Sequence, residues 1–249
     1  VTANTTLRFW ISLCGAGALL FALMRVLASA LGSVRGEAGL AVGAVMLAAT
    51  LGADRLLFAG SFLSSWRALG LNAPSESGLL AAGLVSALLL AALPVAATLT
   101  GAHLSLRADW LWLAPGLLAQ AELAEEVLFR GFVYGRIRDG RPFWRAVALS
   151  LPPFVLVHVL LLASLAPALA LASLALSVAI TPALCHLYEL GGRTIWGPAL
   201  VHAAVQGAIK IVDIEGGDAT QLALIWIAAC AAAPNVAFLW RRSEPQRRA

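Results

Sequence analysis

Apolar runs of about twenty residues recur along this chain, each long enough to carry one helix across the ~30 Å hydrocarbon core of a bilayer. Within that core every backbone N–H and C=O must be bonded inside the structure, so the runs admit only helices or a closed barrel. The alternation of apolar and polar residues that marks a membrane barrel is absent. The charged fraction of 12% is about half the roughly 25% usual for a soluble domain. The expected fold is therefore all-α, a polytopic membrane bundle.

On a working length of about 17–25 residues per span, helices are expected near 9–31, 38–60, 78–100, 111–135, 143–165, 168–190, 195–213 and 220–240. They are broken at Gly32-Ser33, Asn72-Ala73-Pro74, Gly140-Arg141-Pro142, Ala166-Pro167, Gly191-Gly192 and Gly216-Gly217. No polar linker is long enough to divide the chain, so residues 1–249 are expected to form a single integral membrane domain. The positive-inside rule tests the count of eight spans. With both termini cytoplasmic, eleven arginines fall inside: Arg8, Arg67, Arg136, Arg138, Arg141, Arg145, Arg193, Arg241, Arg242, Arg247 and Arg248. Only two, Arg35 and Arg107, fall outside. Removing any one span would scramble that asymmetry.

Ala28-Ser29-Ala30 resembles a signal-peptide cleavage site. The apolar run before it is as long as a span, and Arg25 interrupts it, so an uncleaved first helix is expected. The net charge of +4 comes from arginines beside the spans, which orientation explains better than a nucleic-acid partner. Cys14, Cys185 and Cys230 lie in apolar segments and read as small hydrophobes.

Against this background, polar residues within the spans stand out, because intramembrane ionisable groups usually face a protein interior or a wet cavity. Glu126 and Arg130 are four apart, the spacing at which a glutamate N-terminal to a cation pairs well. That pairing leaves Glu125 free to face a cavity and to act as general base on water. Glu122 is open between a solvated cytoplasmic edge and a role in the site. Phe154 and His158 share one helix face, so the phenyl ring can hold the imidazole. His202 and Gln206 share another, and could donate hydrogen bonds to a developing oxyanion. His103 and His186 have no matching partners and read as structural. Asp54-Arg55 reads as a local ion pair or interface anchor, and Lys210 as a side chain that snorkels to the interface.

Three segments together, Glu125-Glu126-x-x-x-Arg130, Phe154-x-x-x-His158 and His202-x-x-x-Gln206, resemble the CPBP family of CAAX prenyl proteases and bacteriocin-processing enzymes, also called Abi. The likeness covers roughly the C-terminal half, a motif-bearing core near 111–240. It implies an intramembrane endopeptidase in which Glu125 activates water and His158 positions it. His202 and Gln206 would stabilise the oxyanion, supported by Glu126, Arg130 and Phe154. The chain departs from the family at Gln206, where Asn is more usual.

No cofactor is expected: the glutamate mechanism needs no metal, and no H-E-x-x-H helix occurs. Zinc on Glu125, His158 and His202 is the alternative, since catalytic zinc commonly takes three protein ligands. The expected partners are the lipid bilayer and a membrane-anchored peptide or protein substrate. Heavy use of Ala, Leu and Arg with little Lys suggests a GC-rich bacterial genome. The substrate would then be a bacterial tail of the kind myxosortases process, and the location the inner membrane. Two other classes stay open, a proton-coupled transporter and a non-catalytic scaffold or immunity protein of the same family.

Overall fold

The computed structural model describes residues 3–31, 36–163 and 165–240; the Gly32-Ser33 break, Arg35 and the basic tail from Arg241 lie outside the described residues. The fold opens with α1 (Ala3–Ala30), α2 (Glu37–Asp54, continued by a π-helical turn Arg55–Ala59), a short α3 (Phe62–Ala68) and α4 (Glu76–Thr100). Strand β1 (Ala102–Leu106) leads into α5, a continuous helix over residues 110–138. Next come α6 (Phe143–His158, with a 3₁₀ extension Val159–Ala163) and α7 (Pro167–Leu190). Helix α8 begins as Trp196–His202, passes through a π-helical turn Ala203–Gly207 and ends in the 3₁₀ turn Ala208–Lys210. Strand β2 (Val212–Gly216) and α9 (Ala219–Ala232, extended by 3₁₀ Ala233–Leu239) close the described chain.

Local chemistry sets several of these ends. The Ser75 hydroxyl accepts the Gly78 N–H at the start of α4, and Gly101 closes that helix at a φ of 71°, in the left-handed region that costs glycine least. Asp218 caps α9 by accepting the N–H groups of Thr220 and Gln221.

Among the described residues, five helices are long and apolar enough to cross a membrane: Thr6–Ala30, Glu37–Phe58, Glu76–Thr100, Pro167–Leu190 and Ala219–Leu239. The chain is thus a multi-pass integral membrane protein with an all-α bundle. The three other expected spans are helical but fall short by this measure, each for a physical reason. Helix α5 carries three glutamates and three arginines, Glu122, Glu125, Glu126, Arg130, Arg136 and Arg138. Helix α6 is shorter. Helix α8, built from pieces of 7, 5 and 3 residues, rises only about 22 Å.

One departure from the all-helical expectation is a two-stranded antiparallel ribbon, in which Ala102 pairs with Gly216 and Leu106 with Val212. It ties the α4–α5 and α8–α9 connections together at one end of α4. At the other end, the Ser75 hydroxyl donates to the Leu190 carbonyl at 2.7 Å and the Trp196 indole donates to the Asn72 carbonyl at 2.7 Å. Connections that the alternating threading places on one side therefore meet on one side.

That second end also corrects the reading of Asp54. Its carboxylate is fully buried and takes two hydrogen bonds, at 2.8 and 2.7 Å, from the Arg136 guanidinium, not from Arg55. The bidentate pair locks α2 to the end of α5. Arg136 is 82 positions away, so no local pattern announced it.

Two large apolar clusters make up most of the interior, with a small third one at Ala97, Ala102 and Leu222. One gathers Leu13, Met24, Met46, Phe129, Phe132 and Phe154 from α1, α2, α5 and α6. The other gathers Leu89, Leu184, Val205 and Trp226 from α4, α7, α8 and α9. Large side chains such as Leu19 and Leu56 stay on the outside, 74% and 85% exposed, where lipid rather than water would cover them.

Candidate active site

The site begins with the way α5 is pressed into the bundle. A Cβ at Gly43 of α2 would sit 2.8 Å from the Ala119 carbonyl oxygen, and one at Gly131 of α5 would sit 2.5 Å from that of Leu69. Only a hydrogen at these two positions lets the backbones approach so closely. Within α5 the helix changes pitch twice, to π over Leu118–Leu123 and again over Val127–Tyr134, with a single α turn, Ala124–Glu126, between. Such π segments recur at functional positions because they re-aim side chains around the axis. The two acids of the first motif sit on that intervening turn.

The turn splits them. Glu126 is fully buried, and its Oε1 accepts from Arg130 Nη1 at 2.9 Å and from His202 Nδ1 at 2.8 Å. Glu125 keeps 20% of its side chain exposed and lines a cavity of about 790 Å³. Its Oε2 lies 3.9 Å from His202 Nε2, too long for a hydrogen bond.

Phe154 joins the first motif to the second. The Arg130 guanidinium carbon lies 4.3 Å from the centre of its ring, a cation–π contact. The same ring packs 4.7 Å from the His158 imidazole, and the Phe154 carbonyl accepts from His158 Nδ1 at 2.7 Å. A carbonyl can only accept, so Nδ1 carries a proton, and in the neutral imidazole Nε2 is then the acceptor. Pro152 and Pro153 remove two backbone donors from the turn before Phe154.

The third motif extends into a chain of donors. The Lys210 ammonium donates to Gln206 Oε1 at 3.1 Å, and the Gln206 amide nitrogen donates to His202 Nε2 at 2.7 Å. His202 Nδ1 then donates to Glu126. Both ring nitrogens of His202 are thus engaged, one as donor and one as acceptor. The amide keeps a second N–H for the cavity that Gln206 lines.

Glu125, Phe154, His158, His202 and Gln206 all line this one cavity. Glu126 and Arg130 stand behind it. Apolar walls come from Met24, Leu184, Val205 and Trp226.

Three features escaped the sequence. Lys210 turns inward onto Gln206 and lines the cavity instead of snorkelling to the interface. Its spacing of four from Gln206 and eight from His202 was the available signal. Glu122 is fully buried beside the site rather than solvated, with neither carboxylate oxygen hydrogen-bonded among the described residues. Helix α1 supplies Phe21, Met24 and Arg25 to the cavity wall, which no motif marked. The remaining histidine of the core, His186, donates from Nε2 to the Trp240 carbonyl at 3.0 Å and stacks near Phe238, away from the cavity.

Comparison with known proteins gives one match. Residues 106–208 match the family model described as Rce1-like, type II CAAX prenyl endopeptidase Rce1-like. The matched stretch is about two-fifths of the 249 residues. It contains Glu125, Glu126, Arg130, Phe154, His158, His202 and Gln206 and stops before Lys210. The chain carries an Rce1-like segment, in line with its resemblance to the CPBP family, and the match supports a peptide hydrolase of the CAAX-protease kind. No curated protein and no solved structure matches.

Proposed function

We propose that this protein is an intramembrane endopeptidase in which Glu125 and His158 hold the attacking water and the Gln206 amide receives the oxyanion. The observation that carries the reading is the convergence of Glu125, His158, His202 and Gln206 on one cavity whose lining is mostly apolar. A water between the Glu125 carboxylate and His158 Nε2 would donate one hydrogen to each, leaving an oxygen lone pair free for a peptide carbonyl carbon. Glu125 takes the proton as the new C–O bond forms. The carbonyl oxygen, now negative, accepts the second N–H of Gln206, which His202 keeps aligned. Glu125 then returns the proton to the departing amine as the C–N bond breaks, leaving a new carboxyl and a new amino end.

The substrate proposed is a membrane-anchored peptide or protein, cut near its membrane end; a bacterial sorting tail is the specific candidate. Reconstituted protein should cleave at least one member of a panel of such tails. Hydrolysis in ¹⁸O-labelled water should put one heavy oxygen into the new carboxyl. No cleavage across the panel, together with proton-coupled solute uptake by the same vesicles, would instead favour a transporter.

We read the site as metal-free. Both nitrogens of His202 are committed within the protein, and among the described residues no three His, Cys, Asp or Glu side chains form a group able to hold a metal. Tail cleavage should therefore survive exhaustive treatment with a zinc chelator. Loss of activity that added zinc restores would refute the metal-free reading.

We place the protein in the inner membrane with both termini cytoplasmic. The eleven-to-two arginine asymmetry supports this, as does the meeting of alternate connections at the same end of the bundle. A reporter fused after Trp240 should give a cytoplasmic signal, and a periplasmic one would invert the topology.

A further inference from the structure

Lys210 is the one lysine among 17 basic residues of the chain, and it donates into the hydrogen-bond chain that lines the cavity. We infer that Lys210 is a positioning residue: its ammonium captures the oxygen of the Gln206 amide and so turns the amide nitrogen toward His202 and the oxyanion position. The inference rests on the peptidase reading for its kinetic consequence, but not for its structural one.

An amide side chain is nearly symmetric in shape, and nothing in its size decides which end faces which neighbour. Here both neighbours decide it together. An ammonium has three donors and no acceptor, so only the amide oxygen can face Lys210 at 3.1 Å. The nitrogen then faces His202 Nε2 at 2.7 Å; an amide N–H can only donate, so Nε2 accepts and the ring's proton sits on Nδ1, opposite the Glu126 carboxylate. Reversing the amide would set a donor against the ammonium and an oxygen lone pair against the Nε2 lone pair. The order Lys210, Gln206, His202, Glu126 is thus directional, with every donor pointing the same way along it.

Gln206 needs such a brace. It stands where the family more often has Asn, and the extra methylene adds a rotatable bond between helix and amide. It also sits on the π-helical turn Ala203–Gly207, followed at once by the 3₁₀ turn Ala208–Lys210. The change of pitch brings Lys210 back over Gln206. A compact ammonium on a flexible stem suits this space, whereas the planar fork of Arg, used at every other basic position, would present a different donor geometry.

Two measurements test the inference. The first reads the hydrogen bond without any activity: ring ¹⁵N spectra of histidine-labelled protein in micelles, with the His202 signals identified by their loss in His202→Gln. In the wild-type protein Nε2 should give a lone-pair signal shifted by an accepted hydrogen bond. In Gln206→Ala that shift should be lost, and Lys210→Met should move Nε2 most of the way to the Gln206→Ala position. An unchanged Nε2 signal in Lys210→Met would overturn the inference even if the protein proved to cleave nothing.

The second is a double-mutant cycle on a cleaved tail peptide. Gln206→Ala should lower kcat by about 10²–10³-fold, the usual loss for one oxyanion donor. Lys210→Met should lower kcat by roughly ten-fold with KM unchanged, and should cost nothing further in the Gln206→Ala background. Losses that multiply, or a Lys210→Met effect confined to KM, would mean that the ammonium binds substrate directly instead of acting through Gln206. Cleavage that fails in the wild type while the Nε2 shift behaves as stated would refute the peptidase reading and leave the donor chain standing.

Discussion

Glu125→Gln is expected to abolish tail cleavage while leaving the protein folded and as heat-stable as the wild type. The substitution keeps volume and hydrogen-bonding capacity but removes the only carboxylate that lines the cavity among the described residues. Loss of a general base commonly costs about 10²–10⁴-fold, enough to read directly from product yield. The fold should not notice, because among the described residues no ion pair within hydrogen-bond distance involves Glu125; His202 Nε2 stands 3.9 Å from its Oε2. The check is paired: product by mass spectrometry and thermal unfolding of the same preparation. Full cleavage by a folded Glu125→Gln variant would remove Glu125 from the mechanism.

Glu126→Gln should behave in the opposite way, losing stability first. Its Oε1 serves Arg130 and His202 together, in a site where Glu126 is 0% and Arg130 2% exposed. A glutamine leaves the guanidinium buried with a neutral oxygen on one side and the Phe154 ring on the other. Removing one partner of a buried ion pair typically costs about 3–5 kcal/mol, because the remaining charge has no counterpart and no water. Expression and thermal stability should both fall. The double variant Glu126→Gln with Arg130→Met should recover much of that loss, since apolar replacement of a whole buried pair is often nearly neutral. If Glu126→Gln were inactive yet fully stable, the roles of the two glutamates would have to be exchanged.

These contrasting outcomes for adjacent residues come from a direction around one helix. Glu125 and Glu126 differ by about 100° in heading. The sequence indicated which of them meets a cation, because the partner is four residues along the same helix. It could not indicate what the other one faces. That depends on α6, α7 and α8, whose cavity-lining residues His158, Leu184 and His202 lie far along the chain. The coupling of His202 to Glu126 spans 76 positions, and no periodicity records it.

The same boundary runs through the fold. Apolar runs and the breaks between them were enough to place the helices, because helix formation in an apolar medium is a local demand of the backbone. Motif spacing was enough to put Phe154 on the face of His158 and Gln206 on that of His202. The β1–β2 ribbon was invisible: its strands are short, lie more than a hundred residues apart and become strands only by pairing with each other. Asp54 was assigned to its neighbour Arg55, although the bundle delivers Arg136 from another helix with better bidentate geometry. Lys210 was assigned to the interface on its own chemistry, since a long cation near a helix end usually reaches water. Its inward turn depended on two shifts of helical pitch and on an amide oxygen awaiting a donor. What the sequence determined alone was therefore everything set by the order of residues along a helix axis. What only the tertiary structure decided was which way each polar side chain faces, because that is settled by partners on other helices, and a buried polar group goes where a partner exists.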